Sequence, residues 1–112
     1  MATAADLITL LEDQLRDAHV QFVATKQLRY LDEGQQEVYA RHPESAQTSD
    51  SKINESAPTA ISATSTTIGT TRAFRMAIVH YACWMCLIEN TDDEANVNLA
   101  NQHKQMFLEA MQ

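Results

Sequence analysis

Residues 71–90 constrain the fold more than any other part of the chain. From residue 73 to residue 88 almost every side chain is apolar or small, and charged residues are nearly absent. A helix that lacks a polar face must be buried on several sides. We therefore predict that this segment is the third of four helices, and that it is the central element of a bundle or, in addition, forms an interface.

Three other segments repeat apolar residues at helical spacing. The first helix is predicted over residues 4–18, the second over residues 25–42, and the fourth after an acidic turn that begins at Thr91. Pro43 ends the second helix because proline has no amide hydrogen to donate. The positions expected to share one face of each helix are Leu7, Ile8, Leu11, Leu15 and Ala18 in the first helix, Leu28, Leu31, Gln35 and Val38 in the second, and Val97, Leu99, His103, Met106, Phe107 and Ala110 in the fourth.

Local signals mark two helix starts and one close contact. Thr3 with Asp6, and Thr91 with Glu94, have the spacing of a capping box, in which a hydroxyl and a carboxylate satisfy exposed amides. Gly34 lies within the second predicted helix, where glycine costs about 1 kcal/mol relative to alanine. It indicates either close approach by another backbone or a kinked helix.

Residues 44–71 differ from the rest of the chain in composition. They are rich in Ser, Thr, Ala and Asn and contain only three large aliphatic side chains. In isolation this composition predicts disorder, so we expect neighbouring subunits to hold the segment. The β-branched run at residues 59–71 suits an extended arm or hairpin that adds to the edge of a partner's sheet. The predicted partner-binding residues of this arm are Ile53, Pro58, Ile61 and Ile68.

Length and charge limit the function classes. A chain of 112 residues has room for one domain, and its net charge of −7 argues against a protein that reads nucleic-acid sequence through cationic contacts. No apolar run approaches the roughly 20 residues of a membrane helix, and the first residues do not resemble a signal peptide. We predict one all-α domain over residues 1–112, a small four-helix bundle with an extended arm at about residues 44–71.

Cys83 and Cys86 form the one pattern that suggests chemistry. The pair falls in the middle of an apolar helix, whereas a redox pair needs a helix N-terminus, so we interpret both thiols as packing residues. The alternative is a zinc site with His80 on the same face, which needs a fourth ligand from His19, His42, His103 or another subunit. Nothing in the sequence supports a nucleophile with its base, a phosphate loop or a zinc protease. We expect neither an enzyme nor a bound metal or cofactor.

Two blocks of the sequence resemble adaptor proteins of short-tailed bacteriophages. Residues 22–35 read Phe-Val-Ala-Thr-Lys-Gln-Leu-Arg-Tyr-Leu-Asp-Glu-Gly-Gln. In that family an aromatic residue is followed by a helix of the form Leu-x-Tyr-Leu-Asn-Asp-Gly-Gln, which ends in a proline like Pro43. Residues 77–111 are similar to the family's closing pair of helices, with Tyr81, an acidic turn, Asn96, His103 and Phe107. The blocks cover somewhat more than half of the chain, and the Ser/Thr-rich arm replaces the family's proline-containing hydrophobic strand.

The resemblance implies a structural virion protein of the head-to-tail junction, assembled in the host cytoplasm. In such proteins about twelve copies form a closed ring beneath the portal, extend the DNA channel and provide the tail attachment surface. The expected partners are further copies of the chain, the portal protein, tail or nozzle proteins, and genomic DNA that passes without sequence-specific binding. No membrane is expected.

An acidic channel wall would let DNA slide, because like charges do not adhere. Our hypothesis is that six carboxylates face the channel: Glu12, Asp13, Asp17, Asp32, Glu33 and Glu37. The main alternative function is a small acidic helical interaction or regulatory module that binds one protein partner through its arm. A metal-binding or redox helical protein comes third.

Overall fold

The computed structural model describes residues 2–15, 24–49, 52–53, 57–89 and 94–112, and every structural statement below concerns these residues. It confirms the all-α class. The four helices of the described residues are α1 (Ala4–Gln14), α2 (Ala24–Arg41), α3 (Arg72–Ile88) and α4 (Glu94–Ala110). A 3-10 turn at Pro43–Ser45 leads into a short antiparallel ribbon of β1 (Gln47–Ser49) and β2 (Lys52–Ile53). The capping box predicted at Thr91 lies outside the described residues.

Helix α3 is the centre of the bundle, as its composition predicts. It packs against α1, α2 and α4, whereas α4 has extensive contact with α3 alone. Burying one large aliphatic side chain contributes roughly 1.5–3 kcal/mol, so α3 supplies much of the stability. Its buried residues are Ala77, Ile78, Val79, Ala82, Cys83, Cys86 and Leu87.

The first turn of α1 is capped partly by residues far away in sequence. The Asp6 carboxylate accepts a hydrogen bond from the Thr3 amide at 2.9 Å, which forms the predicted capping box. The next two amides, of Ala4 and Ala5, donate instead to backbone carbonyls of residues 66 and 64, at 2.8 and 2.9 Å. Side-chain capping alone therefore does not complete this helix start.

Residues 57–71, called the strap below, connect β2 to α3 and run across α1 and α2. The strap forms single β-bridges to Thr3 and Ala46, and its Ile68 amide donates to the Ala2 carbonyl at 2.8 Å. Ile61 and Ile68 are buried in the main core. The chain's own backbone and core therefore support the strap, and its contact with neighbouring subunits stays a prediction.

The buried side of α4 differs from the predicted stripe. His103 and Phe107 are buried as expected, but Met106 is 43% exposed and Ala110 is also exposed. The buried positions of α4 and the residue after it are Asn96, Ala100, His103, Phe107 and Met111. The prediction was wrong for Met106 and Ala110, because the polar Asn96 takes a core position while an apolar methionine lies on the outer side of this helix.

Candidate interaction surfaces

Gln35 is the main link between α2 and the strap. Its side chain is fully buried, and its Nε2 donates to the Thr59 carbonyl at 3.0 Å. Its Oε1 accepts a hydrogen bond from the Gly69 amide at 3.2 Å. One buried amide side chain thus satisfies two backbone groups of the strap, which would otherwise be desolvated without a partner.

Two further α2 side chains bind the strap beside Gln35. The Asp32 carboxylate accepts a hydrogen bond from the Ile61 amide at 3.0 Å. Gln36 Nε2 donates to the Pro58 carbonyl at 3.3 Å. Hydrogen bonds to ionised acceptors are stronger than neutral ones, so Asp32 is a structural anchor before it is a surface charge.

The apolar residues predicted to contact a partner lie mostly within the chain's own core. Ile61 is 5% exposed, Ile68 is fully buried, and Pro58 is also buried. In the folded chain these three side chains are not presented to another protein, so contact through them requires the strap to leave α2. Ile53 lies in β2, and its side chain is outside the described part of the structure.

Gly34 permits close contact between α2 and α3. A Cβ atom at this position would lie 3.2 Å from the Ile78 carbonyl oxygen and 3.1 Å from Cδ1 of Tyr81. Both distances are tighter than ordinary van der Waals contacts. The predicted close approach of another backbone is therefore present, and the approaching backbone belongs to the central helix.

A polar cluster joins the start of α2 to the end of α3. The Tyr30 hydroxyl donates to the Glu89 carboxylate and accepts a hydrogen bond from Arg29 at 3.0 Å. Lys26 Nζ lies 3.2 Å from Glu89 Oε2. The hydrogen bond from Tyr30, together with the Lys26 ammonium, lowers the pKa of the Glu89 carboxyl. The cluster ties these two helix ends together.

The acids assigned to a channel do not form one unpaired patch. Glu33 lies 3.9 Å from Arg29, and Glu37 lies 3.8 Å from Arg41, each as an exposed i,i+4 pair. Such pairs contribute only about 0.3–0.5 kcal/mol, but they offset charge locally. Asp32 is engaged with the strap. Of the six acids, only two in α1 are exposed without an ion pair among the described residues.

Those two acids are Glu12 and Asp13, at the C-terminal end of α1. Glu12 Oε1 accepts a hydrogen bond from Gln27 Nε2 at 3.2 Å, and the Asp13 side chain is exposed. Both residues are exposed on the surface. Asp17, the third predicted acid of this region, lies outside the described residues.

The thiols lie in the core of α3. Cys83 is fully buried and Cys86 is 9% exposed. Burial raises the pKa of the Cys83 thiol well above its usual range and that of Cys86 to about 11. Protonated, buried thiols neither attack disulfides nor bind metal readily.

The histidines proposed as zinc ligands have other contacts. His80 Nδ1 lies 3.0 Å from His103 Nδ1 across the α3–α4 contact. His42 contacts Glu44 and the Met111 carbonyl at 2.8 and 2.9 Å. Within the described residues, no three His, Cys, Asp or Glu side chains come together as a metal site, and His19 lies outside that part of the chain.

Exposed apolar side chains are distributed over three helices. None of the described helices is long and apolar enough to cross a membrane. Half-buried Tyr81 and Trp84 pack edge-on against each other, and the Lys104 ammonium lies 5.6 Å from the Trp84 ring centre. The large apolar side chains that are more than one-third exposed are Leu10, Met76, Ile88, Met106 and Leu108. These provide scattered surface for contact with another protein.

Comparisons with known proteins found no relatives for this chain. No protein-family model, no curated protein and no solved structure matches it. A functional assignment therefore depends on the chain's own residues.

Proposed function

We propose that this chain is a structural virion protein, a head-to-tail adaptor whose copies form a ring beneath the portal. The ring extends the DNA channel and provides the surface to which the tail attaches. The chain acts by binding proteins and has no catalytic role. This proposal starts from the resemblance of residues 22–35 and 77–111 to adaptors of short-tailed phages.

The observation that carries the proposal is that the α2 block of the resemblance has a specific structural use at almost every position. Tyr30 ties α2 to the end of α3, and Gly34 allows α3 to approach. Asp32 and Gln35 hold the strap. The residues that carry this part of the resemblance are therefore also residues that hold α2 to α3 and to the strap.

The surface also suits a ring subunit. A closed ring needs two different faces that bind each other, and such heterologous contacts use exposed apolar residues on separate elements. Leu10, Met76 and Met106 provide such residues on three helices. The surface acids Glu12 and Asp13 match the expectation for a wall past which DNA slides.

One observation favours the second candidate function, a small acidic module that binds a single protein partner. The strap's apolar residues are buried within the chain itself, so the described fold is self-contained. A self-contained fold does not need neighbours to become ordered. This alternative predicts a monomer or dimer with no affinity for a portal protein.

The deciding experiment is electron microscopy of the purified protein mixed with its cognate portal protein, with native mass spectrometry of the same sample. We expect a ring of many copies docked coaxially on the portal. A portal from an unrelated phage is the matched control and should remain bare. A monomer or dimer that leaves the cognate portal bare would reject the adaptor function and favour the single-partner module.

Charge reversal tests the channel wall separately. We expect Glu12→Lys/Asp13→Lys to slow DNA ejection, because the new cations attract phosphates as the duplex passes. Glu94→Lys/Glu109→Lys is the control, since it makes the same change in net charge at exposed sites of α4. Ejection rates that are unchanged, or slowed equally in both variants, would exclude the α1 acids from the lumen.

A further inference from the structure

A pair of histidines lies at the contact between α3 and α4. The Nδ1 atoms of His80 and His103 are 3.0 Å apart, and the ring centres are 5.2 Å apart with a tilt of 31°. His103 is only 4% exposed, and His80 is half-buried. At this distance one Nδ1 carries a proton and donates it to the lone pair of the other. The bond therefore requires at least one neutral ring.

Protonation of both rings removes that bond. Two imidazolium rings would place two N–H groups against each other in a partly buried site, where charge is poorly solvated. Burial lowers the pKa of His80, and burial together with the charge of His80 lowers the pKa of His103 to about 4. Both rings are thus held neutral at pH 7.

Among the described residues no carboxylate offsets this penalty, because burial alone shifts the pKa of His80, and the charge that acts on His103 besides burial is that of His80. On α3, the neighbouring Cys83 thiol is neutral, because burial raises its pKa. On α4, Lys104 is directed to the Trp84 ring, and on α2 the Arg41 guanidinium lies 5.5 Å from the Phe107 ring centre. These two neighbours are cations. The exposed acids of α1 lie on a helix that packs on α2 and α3 and has no extensive contact with α4.

His42 and Tyr81 are further titratable groups that face α4. The Tyr81 ring packs against Phe107, and burial raises its pKa, so it stays neutral in acid. His42 lies at the C-terminal end of α4. His42 Nε2 lies 2.9 Å from the Met111 carbonyl, and this contact, together with the hydrogen bond between Nδ1 and Glu44, raises its pKa. A protonated His42 donates to that carbonyl, so acid strengthens this contact. Loss of α4 docking in acid therefore cannot arise from His42.

We propose that the His80–His103 pair makes α4 an acid-releasable element. At neutral pH the pair holds α4 on α3, and at acidic pH the two charged rings separate and the middle of α4 leaves the bundle. Helix α4 is suited to this role because α3 is the one helix with which it makes extensive contact. Release exposes apolar surface that includes Phe107 and, on α3, Tyr81 and Trp84.

The pH range follows from linkage. A histidine whose folded-state pKa is depressed contributes stability that is complete above its ordinary value near 6.5 and falls as the pH drops below it. For His103 the loss continues down to about pH 4. Within this range the docking equilibrium changes by up to about tenfold per pH unit for each histidine.

The sole tryptophan, Trp84, reports the state of α4, because its ring lies 6.5 Å from Phe107 and beneath Lys104. The experiment follows Trp84 emission and amide hydrogen exchange from pH 7 to pH 4, in the wild type and in His80→Leu/His103→Leu. We expect the wild-type emission to shift to the red, with protection lost in α4 while α1 and α2 remain protected. The double variant should keep α4 docked.

Three results would overturn the proposal. The first is an identical acid transition in the double variant. The second is wild-type protein whose α4 stays protected at pH 4. The third is simultaneous loss of protection in all four helices, which would show global acid unfolding. If the double variant does not fold, NMR titration of the wild-type imidazoles decides: values at or above 6.5 for both rings reject the proposal, and depressed values that coincide with the loss of α4 protection support it.

Discussion

At the residue scale, the strongest constraints come from side chains that contact backbone. Gly34 meets the Ile78 carbonyl, and Gln35 bonds the backbone of Thr59 and Gly69. Backbone groups inside a helix or beneath a packed segment cannot move aside as a flexible side chain can. Substitutions of Gly34 or Gln35 are therefore expected to lower the free energy of unfolding by more than the change in side-chain size or polarity alone suggests.

Gly34→Ala should destabilise the protein even though alanine is the better helix former. The propensity gain is about 1 kcal/mol, while forcing a methyl group into a filled contact costs roughly 1–3 kcal/mol. We expect a net loss of about 1 kcal/mol in urea unfolding followed by Trp84 fluorescence. Ala40→Gly, at an exposed α2 position, measures the propensity effect alone. A Gly34→Ala protein more stable than wild type would show that α3 can shift to admit the methyl group.

Gln35→Ala and Gln36→Ala form a matched pair. Removing the buried Gln35 leaves the Thr59 carbonyl and the Gly69 amide unsatisfied, at about 1–3 kcal/mol each. Gln36 is partly exposed and makes one bond to the strap, so water can replace it and its loss should cost about 1 kcal/mol or less. Urea unfolding, with protease cleavage of the strap as a second readout, compares the two. Equal effects would contradict the central role of Gln35.

At the scale of elements, the helices were predictable and the strap was not. Apolar periodicity and Pro43 place the ends of α2 within one residue of those observed, because local chemistry decides them. The strap's composition predicts disorder, since Ser and Thr do not reveal which side chains elsewhere satisfy their backbone. Those partners lie in α2 and at the start of α1.

The buried side of α4 was only partly predictable for a related reason. Hydrophobic periodicity assigns a polar residue such as Asn96 to solvent, yet Asn96 faces the core together with His103, which the predicted stripe includes. His103 is accommodated because His80 accepts or donates a hydrogen bond across the helix contact. This pairing requires α3 and α4 to meet in a particular register. The apolar periodicity of a single helix gives no information about that register.

The buried position of the α3 thiols gives a chemical prediction. Cys83 and Cys86 should react with a thiol reagent at pH 8 only as fast as the protein unfolds, because both are buried and burial raises the pKa of each thiol. The measurement compares labelling in buffer with labelling in denaturing urea, where both thiols should react at once. Rapid labelling of the native protein would show that these thiols are reactive. One equivalent of bound zinc that blocks the labelling would show that they bind metal.

At the scale of the whole molecule, the structure is long and thin, 43 × 29 × 17 Å, with α3 flanked by α2 and α4. The central place of α3 follows directly from its composition. Part of the charge distribution also follows from the sequence, because Arg29 with Glu33 and Glu37 with Arg41 have the i,i+4 spacing of ion pairs on a helix. The contact of Asp32 with the strap does not, because it depends on the tertiary fold. The candidate acidic surface is therefore smaller than the charge of the chain suggests.

His42 should give the C-terminal end of the molecule its own pH dependence. Its bond to the Met111 carbonyl and its contact with Glu44 raise its pKa above the usual 6.5. A raised pKa means that the contribution is complete below pH 6.5 and is lost as the pH rises through the folded-state value. We expect the last turn of α4 to lose hydrogen-exchange protection, corrected for intrinsic rates, between neutral and mildly alkaline pH. His42→Gln should abolish this dependence, and its persistence would assign the effect to another group.

The capping of α1 by the strap also sets an order of events during synthesis. The Ala4 and Ala5 amides find their partners only after the carbonyls of residues 64 and 66 have left the ribosome. An isolated helix as short as α1 is marginal in water, so its apolar face stays open until then. At 5–20 residues per second this interval lasts roughly 3–12 s. Of the four described helices, α1 is translated before the others, yet its capping is completed only after all of α2 has been made.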